Sequence, residues 1–192
     1  MADRCNTIRL YSFQTDVVYQ VLKRDGVCYS KEEYVRKKYK ESAKVFINAY
    51  GWFVKEAQHI VPKPEGAEYP YWAFTDLYNV DQTGDGHVLT LDVPIGEAIL
   101  FDMFDWTKIM QMHYIGENES EEAAFSEKLK NMGMDEFQIM TSNFYPEQKA
   151  RIQESWKRLF GHQQAIEAGD NSGVHSVQAG LWCIKDEWIV KE

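Results

Sequence analysis

Between Ser30 and Pro62 the apolar side chains recur every three or four residues: Val35, Tyr39, Ala43, Phe46, Tyr50, Phe53, Ala57 and Ile60. That spacing lines one face of an α-helix. Ser30 and Glu33 form a capping box at its start, in which each side chain satisfies an orphan backbone donor. Pro62 and Pro64 end it, because proline cannot donate to the helix ladder. An apolar stripe of this length has to be buried against another layer of structure.

The sequence also supplies strands for such a layer. TIRLYSFQ (7–14) is rich in β-branched and aromatic residues and reads as a first strand. Residues 87–93 alternate, with Val88, Thr90 and Asp92 on one side and Leu89, Leu91 and Val93 on the other. Residues 98–101 are short and wholly apolar, which predicts a central strand, and 69–77 is aromatic and extended at its start. Residues 177–184 and 188–191 read as closing strands. Shorter helices fit between them. Thr15 caps one that carries Val17, Val18, Val21 and Leu22 and stops at Asp25-Gly26. Asp102 with Asp105 caps one that carries Trp106, Ile109, Met110 and His113. Asn118 or Ser120 opens another with Phe125, Leu129 and Met132 inside and Gly133 as its stop, and Pro146 starts one that carries Ile152, Trp156 and Leu159. Residues 161–174 read as a mobile loop. The sum is a single α+β domain over 1–192, with a split, curved β core, one long helix and several shorter ones.

The acidic balance limits the partners. Thirty acidic against twenty-one basic side chains give a net charge of −9, which repels phosphate backbones and argues against nucleic acid. The basic runs at 23–26 and 35–40 read as solvated helix faces. No apolar run reaches the ~20 residues a membrane helix needs, and the first residues lack a signal core. Cys5, Cys28 and Cys183 are odd in number and dispersed, which fits a reducing, cytoplasmic setting and no zinc site. DQTGDGHVLTLD (81–92) places Asp81, Thr83, Asp85 and Asp92 at calcium-loop positions, but Asp stands where a bidentate Glu belongs, and Pro94 denies the exiting helix. A turn leading into a strand accounts for the same residues. Asp102 and Asp105 could serve as a carboxylate pair, although N-capping explains them with less. The five histidines show no ligand spacing.

Two resemblances add to this reading. PKPEGAEYPYWAF (62–74), VLTLDVPIGEAILFDMFDW (88–106), SWKRLF (155–160) and VQAGLWCIKDEWIV (177–190) resemble the family called domain of unknown function 3841, which implies no activity. YSFQTDVVYQVLKRDGV (11–27) is similar to the opening strand and helix of the ADP-ribosyltransferase fold, with Ser12 and Gln14 at the polar strand positions. VQAGLW (177–182) resembles that fold's late Gln/Glu-x-Glu strand. Gln178 matches its first member, and Gly180 stands where the catalytic glutamate belongs. Asp186 or Glu187 would have to replace that carboxylate for any transfer.

The second resemblance implies a protein that binds NAD or another nucleotide between the first strand (Ser12, Gln14), the aromatic segment (Tyr69, Trp72) and Gln178. The opening and closing strands would then lie side by side around a shared hollow. The alternative is a non-catalytic, acidic protein-interaction module, with electrostatics speeding its encounter with a protein partner. Core packing is the competing explanation for the aromatic residues, and an outward strand position for Gln178.

Overall fold

In the computed structural model, which describes residues 6–33 and 43–191, the chain forms one α+β domain. Its seven described strands are β1 (Thr7–Gln14), β2 (Val27–Tyr29), β3 (Tyr71–Phe74), β4 (His87–Pro94), β5 (Ala98–Asp102), β6 (Val177–Leu181) and β7 (Cys183–Lys185). The described α-helices are α1 (Asp16–Asp25), α2 (Ala43–Ala57), α3 (Met103–Met110), α4 (Glu119–Asn131), α5 (Glu136–Thr141), α6 (Pro146–Ser155) and α7 (Gln163–Glu167). Five strands make an antiparallel sheet in the order β4-β1-β3-β6-β5, and β2 and β7 pair as a separate ribbon. Residues 34–42 of the long helix predicted from Ser30, with the basic run 35–40, lie outside the described residues.

The large sheet separates two apolar layers. On one face Ile99, Phe101 and the Trp72 ring pack against α2 (Ala49, Tyr50, Phe53), α3 (Trp106, Ile109), α4 (Phe125, Leu129) and Trp156. On the other, Leu10, Ala73, Leu91, Leu100 and Ala179 meet Leu22 of α1 and Cys28 and Ile184 of the ribbon. β6 is buried along its whole length. At Gly180 the sheet approaches α2 tightly: a Cβ there would lie 2.8 Å from Cζ of Phe53. Glycine lets that ring rest on the backbone of the sheet.

Four sequence expectations need correction. β5 is an edge strand, not a central one. Its apolar burial comes from the segment 156–167, and the Gln163 side chain bonds its free edge, accepting from Leu100 N–H and donating to the Ala98 carbonyl. The same residues correct the loop expectation, because 156–162 forms a 3-10 helix and α7 follows it. Residues 186–188 form a 3-10 turn, and Ile189 makes only an isolated bridge to Leu91 of β4. Val17 and Met132, expected on inner faces, are exposed, at 66% and 53%. The alternation of 87–93 is observed, with Leu89, Leu91 and Val93 buried. A strand therefore occupies the place where a calcium site needs its exiting helix.

Candidate functional site

The five residues expected to contact a cofactor fall into two groups. Phe74 pairs with Tyr11 on one side and Gln178 on the other, so Tyr11 and Gln178 point to the same face. Gln14 lies three residues beyond Tyr11 and points to the opposite face, with Ser12. β3 also stands between β1 and β6, so the opening and closing strands are not neighbours. The side-by-side arrangement expected of those strands is not formed, and Ser12 and Gln14 lie on the face opposite Gln178. Ser12 and Gln14 are buried and bonded locally: Ser12 Oγ donates to the Trp72 carbonyl at 2.7 Å, and Gln14 Nε2 donates to Ser12 Oγ at 2.8 Å.

Tyr69, Trp72 and Gln178 share the α2 face. The Trp72 ring lies 5.3 Å from that of Tyr50 and 4.7 Å from that of Trp106, and its Nε1 donates to Tyr50 Oη. Tyr69 sits 5.6 Å from Tyr50 and donates to Glu32 Oε2. Gln178 is 4% exposed and is flanked by its partners Phe74 and Phe101. Position 180 faces the Phe53 ring and supplies no carboxylate. Asp186, a candidate replacement, is paired with Lys23 at 2.6 Å instead.

A different constellation forms at the end of the sheet where β3 and β5 finish and β6 begins. Asp102 closes β5 and caps α3, accepting from Phe104 N–H at 3.0 Å. It also accepts from the backbone N–H of His175 at 3.0 Å and, more loosely, from that of Ser176 at 3.4 Å. The Nδ1 of His175 lies 2.9 Å from the same carboxylate. The carboxylate is 5% exposed, whereas the imidazole is 73% exposed. Phe104, itself half exposed, leans on the imidazole with ring centres 4.8 Å apart. Asn79 Nδ2 donates to Ser176 Oγ at 2.7 Å and ties the 77–79 turn to the residue that follows His175. Burial works to raise the Asp102 carboxyl, but the bonds from His175, Phe104 and Ser176 outweigh it and hold it below the ordinary carboxylate range. Asp105 takes no part and pairs with Lys108.

The capping role of Asp102 was readable from its position ahead of an apolar helix. Its pairing with His175 was not, because 73 residues separate them and no local spacing joins them. Burial pushes the Cys183 thiol up to about 11, which leaves it protonated and a poor nucleophile near neutral pH. Among the described residues, no group of three or more His, Cys, Asp or Glu side chains is arranged to hold a metal ion. No described helix is long and apolar enough to cross a membrane.

Because the folded-state value of Asp102 is depressed, its contribution to stability is full above the ordinary aspartate range and fades as pH falls through the lower, folded value. Asp102→Asn is expected to cost about 1–3 kcal/mol near neutral pH, the scale of hydrogen bonds to a charged acceptor. Urea melts at several pH values should show the gap from wild type narrowing below about pH 4.

The family model described as Domain of unknown function (DUF3841) matches residues 9–190. No curated protein and no solved structure matches the chain. With nearly its whole length inside that match, the chain belongs to the DUF3841 family.

Proposed function

We propose that this protein is an acid–base catalyst whose working group is the imidazole of His175, oriented by Asp102. The observation that carries this reading is the 2.9 Å contact between an exposed imidazole Nδ1 and a buried carboxylate that three backbone N–H groups also hold. With the ring proton on Nδ1 directed at Asp102, Nε2 is left to accept a proton from a substrate hydroxyl, thiol or bound water. The adjacent carboxylate then stabilises the imidazolium, which returns the proton to the leaving group. Phe104, half exposed, offers apolar surface beside the ring for a substrate to rest on. Chromogenic esters, phosphodiesters and glycosides make a direct assay panel. His175→Gln should lower turnover by about 10²–10⁴, and a variant as active as wild type contradicts the proposal.

A second reading keeps nucleotide binding in reduced form, supported by Tyr69, Trp72 and Gln178 sharing one face of the sheet. An adenine or nicotinamide ring of NAD would stack on the aromatic side chains while the Gln178 amide bonds its edge. This reading includes no ADP-ribosyl transfer, because position 180 carries no carboxylate. Calorimetric titration with NAD and ADP-ribose should give heat that Gln178→Leu removes. Absence of heat at millimolar ligand rejects this reading.

A further inference from the structure

Away from both sites, α4, the turn that follows it, α5 and His113, three residues past the end of α3, line a cleft of about 380 Å³. Its walls are apolar where Leu129, Met134 and Phe137 meet, and Phe137 stays half exposed at the mouth. Glu136 stands in the wall with its side chain only 13% exposed. One of its oxygens, Oε1, accepts from the backbone N–H of Tyr114 at 2.9 Å. The other, Oε2, comes no closer than 4.0 Å to His113 Nε2, which is beyond hydrogen-bond reach. No lysine or arginine among the described residues pairs with Glu136. Lys130, which also lines the cleft, makes no ion pair with it. A carboxylate removed from water in this way is stabilised by a cationic donor.

We propose that this cleft binds a small primary ammonium carrying an apolar group, with the nitrogen on Glu136 Oε2 and the apolar part between Leu129, Met134 and Phe137. The volume falls at the small end of the ligand-pocket range, about 300–1,000 Å³, which suits a single ring or a short alkyl chain. The chain's charge of −9 raises the local concentration of cations. Burial pushes the Glu136 carboxyl up, and a bound ammonium opposes that push. The exposed ring of Phe137 gives the ligand a surface to close against without disturbing the core.

Phenethylammonium is the probe, and phenethyl alcohol is its neutral counterpart of the same shape. In amide NMR titrations of the full chain, phenethylammonium should shift resonances around His113, Ser126, Met134 and Phe137. It should bind about tenfold more tightly than the alcohol, the difference one charge-assisted hydrogen bond supplies. Glu136→Gln keeps an acceptor for Tyr114 N–H and should bring the two ligands to equal affinity. Phe137→Ala, at a half-exposed position, should weaken both and serves if the first variant does not fold. Equal affinity of the two ligands for wild type overturns the proposal. So does a Glu136→Gln variant that keeps the preference, or shifts confined to other parts of the chain.

Discussion

The Asp102 carboxylate is the point where three parts of the chain are tied together. It ends β5, caps α3 and takes the backbone N–H groups of His175 and Ser176 just before β6 begins. A backbone bond from Met103 N–H to the Ser176 carbonyl runs beside it. These contacts set the start of β6 against the end of β5, and so its register, with Phe101 opposite Gln178 and Asp102 opposite Val177. They also aim α3 so that Trp106 and Ile109 reach the aromatic layer. An ionised carboxylate suits this task because it accepts several bonds at once, and backbone N–H groups are donors that must be satisfied when buried.

The sheet built on this junction decides where ligands can sit. Because β3 runs between β1 and β6, polar residues from the opening strand cannot meet Gln178, and they bond to one another instead. Because Phe53 lies on Gly180, the middle of β6 has no room for a side chain on that face. The sheet end is open, and there His175 stands in solvent beside Phe104. The fold thus buries Ser12, Gln14 and Gln178 within the sheet and leaves the His175 side chain accessible at its rim.

Local structure was legible in the sequence wherever one residue carries a local physical reason. Leu89, Leu91 and Val93 declare a half-buried strand by alternation. Gly26 stops α1 in the left-handed conformation with φ 76°. Asn118 caps α4 by accepting from Glu121 N–H, and Pro146 opens α6. Strand order was not legible, since alternation says which face is buried but not which strand lies alongside. β5 shows this: AILFD is buried throughout yet lies at an edge, because an amide from Gln163 replaces the missing strand. The segment 161–174 misled for a related reason: its glycines and amides suggest a loop, but Gln163 and Ile166 are buried in it. The site behaves likewise. Asp102 was visible as a cap, whereas His175 meets it only when the ends of β5 and β6 come together.

The most direct test of this account is the protonation state of one ring. Nitrogen NMR of the His175 imidazole in the intact chain, at a pH where the ring is neutral, reports which nitrogen carries the proton. Orientation by Asp102 requires the proton on Nδ1, with Nε2 as the bare acceptor, and that pattern should be lost when the carboxylate is removed. A proton on Nε2, or the averaged signal of a free imidazole, would show that the buried carboxylate does not hold the histidine for chemistry.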